Sequence, residues 1–181
     1  MTQHSELSTS RRRPALLGVC FAAGAIIGVL GTMLHGNIWV IGEPSSGLIL
    51  PWGAVLALLI LLLALLWSGM TAGSLTEPML MGATTFTVAS IAYLWPGPDQ
   101  LVVHYTPIAW EQLPGPVLAS ALWWLGSALI TCVAMILTKW LLMKDALQQK
   151  QAAAAQAQAH LRGEDHQPPS SLAPYPGGPQ R

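Results

Sequence analysis

The sequence predicts an all-α fold: a polytopic membrane protein, a bundle of four transmembrane helices with both termini on the cytoplasmic side. Three observations lead there. Four long apolar runs divide the chain. Hydrophobic residues make up 52% of it and charged residues only 9%, against roughly 25% charged in an ordinary soluble domain. All eight Lys and Arg lie at positions 11–13 or from 139 onward.

Residues 1–13 are polar and end in Arg11-Arg12-Arg13, a cytoplasmic N-terminal segment. The first apolar run, 14–34, holds roughly 21 residues, enough to cross a ~30 Å hydrocarbon core at ~1.5 Å per residue. Pro14 is placed in the first turn of that helix, where its missing N–H costs nothing. A connector from His35 to Gly47 leads to the second run, 48–67, rich in Leu and free of charge. Thr76, Glu77 and Pro78 read as the start of the third span, 78–95: a capping hydroxyl, an acid at the positive end of the helix dipole, and a proline in the first turn. Prolines and glycines punctuate the longest connector, 96–116, with a short interfacial helix expected from Pro107 to Leu113. The fourth span is 117–142. Ala, Gln and Lys then favour a helical extension into the cytoplasm over 143–162, with Gly163 as its stop. The Pro- and Gly-rich tail, 163–181, is expected to be disordered.

Charge fixes the predicted orientation. Basic residues accumulate on the cytoplasmic side, and four spans put both basic ends there. The connectors 35–47 and 96–116 then face outward, carrying Glu43, Asp99 and Glu111 but no Lys or Arg. Of the eight Trp, Trp39, Trp52, Trp95, Trp110, Trp123 and Trp124 fall near the outer boundary, and Trp67 and Trp140 near the inner one, as amphipathic indoles prefer. The first run is too long for a signal-peptide core, and three further spans follow it.

Several residues are candidates for packing or contact. Gly24, Gly28 and Gly31 form a small-residue stripe that lets helix backbones approach; packing inside the unit is preferred over a homodimer seam. Ser120, Ser127, Thr131 and Thr138 share one helix face, and Thr84, Thr87 and Ser90 recur in the third span. These hydroxyls are candidates for interhelical bonds or, alternatively, for the lining of a solute path. Asp99, His104 and Glu111 are candidate outer-loop contacts, and His35 is read as a connector residue. Cys20 and Cys132 are read as small packing residues. Glu77 is read as a helix-start acid, so no full charge is expected at membrane depth, which argues against a self-sufficient ion-coupled carrier.

No catalytic residue, metal site or cofactor is expected: no HExxH, nucleotide-binding glycine loop, CxxC or Ser–His–Asp pattern occurs. Zero net charge argues against nucleic acid as a partner. The expected surroundings are the lipid bilayer and a membrane-protein partner or a second copy.

Three features carry a family resemblance: the Gly-rich first helix, Leu50-Pro51-Trp52-Gly53 opening the second, and Pro96-Gly97-Pro98-Asp99 after the third. Over residues 14–142 the chain resembles a family of small four-helix integral membrane proteins of unknown function from actinobacteria. The resemblance implies a bacterial plasma membrane and brings no activity. The functional expectation is a non-catalytic accessory or assembly subunit of a larger membrane complex. The alternatives are an oligomeric small-solute transport component and a sensor of an outer-surface ligand.

Overall fold

A computed structural model describes residues 3–42, 47–95 and 102–164. Five helices and one small hairpin follow in the order α1 (Gln3–Leu34), β1 (Trp39–Ile41), β2 (Leu48–Leu50), α2 (Trp52–Ala72), α3 (Thr76–Tyr93), α4 (Pro107–Gln112) and α5 (Pro114–Glu164). Three of the helices are long and apolar enough to cross a membrane: Pro14–Leu34 of α1, all of α2, and a stretch within Pro114–Ala159 of α5. The chain is thus a helical protein with the composition of a membrane protein. At 18 residues α3 has a length of ~27 Å, but Glu77, Pro78 and its hydroxyl residues make it less apolar than the other three.

Local sequence explains most boundaries and corrects several expectations. Residues 3–13 contain no Gly or Pro, so α1 begins well before Pro14, which lies inside the helix and cannot donate to the carbonyl four residues earlier. The second apolar run does not start as helix. The residue before a proline disfavours helical backbone, and Leu48–Leu50, ahead of Pro51, pair instead with Trp39–Ile41 in an antiparallel hairpin of register Trp39↔Leu50, Val40↔Ile49 and Ile41↔Leu48. The connector 35–47 therefore contains a strand that its helix-dominated surroundings concealed. Gly73 ends α2 with φ +60°, its N–H donating to the Gly69 carbonyl, a glycine C-cap. At the start of α3 the cap hydroxyl comes from Ser74, whose Oγ accepts the Thr76 N–H at 3.1 Å; Thr76 is already helical. Thr106 caps α4 by accepting the Ala109 N–H at 3.0 Å, with Pro107 following it.

Two compact units divide the chain, residues 1–142 and 143–181. In the second, the described side chains from Met143 to Ala159 are all exposed, as befits a solvated Ala/Gln helix. In the first, contacts give the helix directions. Positions 24 and 28 of α1 meet 81–84 and 85–88 of α3, so these two run parallel. Gly69 and Leu58 of α2 meet Thr138 and Gly126 of α5, a second parallel pair. Gly31 against Trp123, at one end, and Cys20 clustered with Ala134, at the other, set α1 antiparallel to α5. The bundle runs up-down-up-down. One end carries the β-hairpin and α4; the other carries the α2–α3 turn. The core has two levels: Cys20, Leu61, Leu65, Met81 and Ala134 toward the turn end, and Ala57, Leu58, Ala89 and Trp123 toward the hairpin end.

Glycines stand at nearly every helix crossing. A Cβ on Gly24 would fall 2.5 Å from the Met81 carbonyl oxygen, and one on Gly28 2.8 Å from Val88 Cβ. Gly31 lies against the Trp123 ring, Gly82 against Thr131, and Gly126 against Leu58. Lipid tails are as apolar as Leu, so helices gain little from hydrophobic exclusion and associate through close packing. The same glycines that read as a candidate seam are occupied here by α3 and α5.

Gly24→Ala is expected to destabilise the bundle by about 1–3 kcal/mol, because the new methyl meets backbone that cannot yield. Gly18→Ala, with nothing within 4 Å of its Cβ, should be neutral or mildly stabilising through helix propensity. Unfolding midpoints of the two variants in one detergent check the pair.

Candidate functional site

The densest polar network lies at the hairpin end. The stripe Gly24, Gly28, Gly31 continues by one more step of four to His35, which places the imidazole on the packed face of α1. His35 N–H still bonds the Gly31 carbonyl at 2.8 Å, and the side chain is 3% exposed. His35 lies just past the end of α1, in the connector as expected, but it is buried rather than solvated; the spacing 4, 3, 4 was the sequence signal for that burial. Thr32, one turn back, donates its Oγ1–H to the Gly28 carbonyl at 2.8 Å and accepts the Trp123 indole N–H at 3.2 Å.

The hydrogen bonds assign the imidazole tautomer. His35 Nδ1 faces the Thr32 carbonyl oxygen, which only accepts, so Nδ1 carries the proton. Nε2 is then an acceptor, and Ser120 Oγ, 3.3 Å away, donates to it. Ser120 Oγ in turn accepts the Val103 N–H at 3.1 Å. The chain Val103–Ser120–His35–Thr32 thus ties the segment 102–106 to both α5 and α1. Burial holds His35 below the ordinary imidazole value, and the bond to the Thr32 carbonyl partly opposes the shift. A hydroxyl bonded to an imidazole is the geometry of an activated nucleophile. Here both groups are buried, His35 at 3% and Ser120 at 1% exposure. The arrangement holds the segment 102–106 against α5 and α1.

A second cluster secures the same segment. Trp124 stacks with Tyr93, ring centroids 4.5 Å apart and planes within 3°, and with Phe86 at 6.3 Å. Its Nε1–H donates to Ser90 Oγ at 3.0 Å. His104 packs on Tyr93 at 4.7 Å between ring centroids, and the Tyr105 N–H reaches Tyr93 Oη at 3.5 Å. Trp123 is therefore a buried packing residue and Trp124 a half-buried one. Of the outer-loop candidates, His104 is half-buried against Tyr93, Glu111 is exposed on α4, and Asp99 lies outside the described residues. No three His, Cys, Asp or Glu side chains converge on a common point among the described residues.

Of the predicted hydroxyls, Ser120, Ser127 and Thr138 are buried, Thr84, Ser90 and Thr131 half-buried and Thr87 exposed, and several spend their protons locally. Ser127 donates to the Trp124 carbonyl at 2.8 Å, Thr131 to Ser127 at 2.7 Å, Thr84 to Leu80 at 2.8 Å and Thr87 to Ala83 at 2.8 Å. Ser120 crosses to His35, and a further crossing hydroxyl, Thr85 to the Gly24 carbonyl at 2.9 Å, is absent from the spacing pattern; it adds roughly 0.6 kcal/mol. A mainly apolar hollow of about 270 Å³ opens sideways between α1 and α3 beside Val29, Thr32, Met33, Val88, Ile91 and Trp95.

Two further placements differ from expectation. Cys132 is exposed on α5, whereas Cys20 is buried. Glu77 is a helix-start acid, as its sequence position says, but it is only 6% exposed; the bundle does enclose a carboxyl group.

Comparison with protein-family models, curated proteins and solved structures finds no match to this chain.

Two outcomes follow. Ser120→Ala leaves the Val103 N–H and His35 Nε2 without partners and should cost about 1–3 kcal/mol, read by detergent unfolding. The lowered His35 value means that the unfolded chain binds a proton more readily than the folded one. Its contribution to stability is full above about pH 6.5. It falls as pH drops from there toward the lowered folded value. Hydrogen exchange of residues 102–106 should accelerate over that acid window and lose this dependence in His35→Gln.

Proposed function

We propose that the chain crosses the plasma membrane four times, with α3 as the fourth span and both termini cytoplasmic, and acts as a non-catalytic accessory or assembly subunit of a larger membrane complex. The four-span reading rests on the up-down-up-down course of the helices and on the clustering of basic residues at the two ends of the sequence. The turn end of the bundle is then cytoplasmic and the hairpin end outer. The plasma-membrane assignment rests on the resemblance to bacterial proteins.

The observation that carries the accessory role is the internal expenditure of polar groups. Ser127 and Thr131 bond their own helix backbone, and the described hollows are lined mainly by apolar atoms. That weakens the alternative of a solute path along these hydroxyls. What remains accessible in the membrane-crossing helices is aliphatic surface, including Val55, Leu59 and Leu63 of α2 and Leu125, Leu129 and Ile136 of α5. Such a surface suits lipid or the helices of another protein. The sensor alternative keeps one specific support: segment 102–106 is held through His35, so an event at that segment is felt by α1 and α5.

Affinity purification of the chain tagged after Arg181, in mild detergent, should recover a reproducible stoichiometric membrane protein. Recovery of the chain alone or only with itself overturns the accessory reading for a stable complex. For topology, a cysteine introduced at Tyr105 should react with an impermeant thiol reagent in intact cells, while one at Ala153 should react only after lysis. Labelling of both from outside rejects the four-span course.

A further inference from the structure

The turn end of the bundle holds a polar layer that the accessory role does not use. Its position follows from helix geometry. Leu65, Met81 and Ala134 meet in the core cluster around Cys20. One turn farther toward the turn end, on the same faces of α2, α3 and α5, stand Ser68, Glu77 and Thr138. Their exposures are 3%, 6% and 0%. Three helices thus each contribute one oxygen-bearing side chain to one level, directly beneath an apolar cluster. Glycine and proline bring the three helices together there: Gly69 stands against both Thr138 and Pro78.

This layer differs from the hairpin-end network in what it lacks. Glu77 Oε2 and Thr138 Oγ1 are buried without a hydrogen-bond partner. Ser68 Oγ gives its proton to the Leu65 carbonyl at 2.9 Å, which leaves its lone pairs to accept. Among the described residues the layer is therefore rich in acceptor oxygens and poor in positive charge. Lys139, next to Thr138, is exposed, and no ion pair to Glu77 forms among the described residues. Cys20 of α1 is the titratable group beside Glu77; α2 and α5 bring hydroxyls only. A lone buried carboxylate with an unpaired oxygen costs several kcal/mol unless a positive charge meets it.

We propose that this layer binds one small monovalent cation, with the Glu77 carboxylate as the charged ligand and the Thr138 and Ser68 hydroxyls as neutral oxygen ligands. Oxygen donors with a single negative charge match a hard monovalent ion of the sodium class or a proton; a divalent ion would leave a net positive charge buried. The proposal stands independently of the accessory role, since it concerns occupancy of the interior and not what the outer surface touches.

The test is thermal unfolding of the full-length protein in detergent. Sodium or potassium replaces choline at constant ionic strength, and pH is varied separately. A ligand of the native state raises Tm by mass action, by several degrees at about a hundredfold excess over its dissociation constant. The expected result is a rise with sodium or potassium in the wild type, absent in Glu77→Gln and weakened in Thr138→Val. Glu77→Gln keeps the shape of the side chain and should fold. A response to pH without one to the metal ions, lost in Glu77→Gln, identifies the cation as a proton and also supports the site. Identical cation and pH dependence in wild type and Glu77→Gln, or none in the wild type, overturns it.

Discussion

The close approach of α1 to α3 is the constraint on which the other features depend. In an apolar solvent, helices are held by the number and closeness of their contacts, each worth only ~0.1–0.2 kcal/mol. Gly24 and Gly28 let the α3 backbone reach α1, and that proximity lets Thr85 find the Gly24 carbonyl. The same stripe, one step on, admits the Trp123 ring at Gly31 and sets Trp123 beside Thr32. His35 is the last residue of this face. The packing of the apolar core and the polar anchor at the hairpin end are thus consequences of one row of small residues.

The two ends of the bundle treat buried polarity in opposite ways. At the hairpin end donors and acceptors match: a carbonyl fixes the His35 tautomer, the tautomer fixes the Ser120 proton, and the free Ser120 lone pair receives the Val103 N–H. In a low-dielectric setting a matched chain of this kind stiffens what it joins. At the turn end acceptors outnumber donors, and an acid stands among them without a partner. The first arrangement is self-contained. The second is complete only with something added, and that asymmetry separates an anchor from a binding site.

Hydroxyl groups illustrate why residue spacing alone misleads about function. The face Ser120, Ser127, Thr131, Thr138 is real, yet its four members do three different things. One bridges to an imidazole, two bond their own backbone, and one has no partner. A Ser or Thr in a helix always has a carbonyl three or four residues back within reach, and the choice between it and a neighbouring helix depends on what that neighbour presents.

By itself the sequence determined the helical class, the apolar runs of α1, α2 and α5, the short α4, and the glycines that would be crossed. Hydropathy, turn chemistry and residue size act locally, so they are written in the order of residues. Even the burial of His35 was legible, in the spacing of the glycine stripe. Only the tertiary structure decided the rest. Leu48–Leu50 became a strand because a matching segment, Trp39–Ile41, lay opposite. Trp123 and Trp124 pack within the bundle because Gly31, Phe86 and Tyr93 make room and partners for them. Glu77 became an enclosed carboxyl because α1, α2 and α5 closed around the start of α3. Each of these depends on which distant residues share a point in space, and no local pattern specifies that.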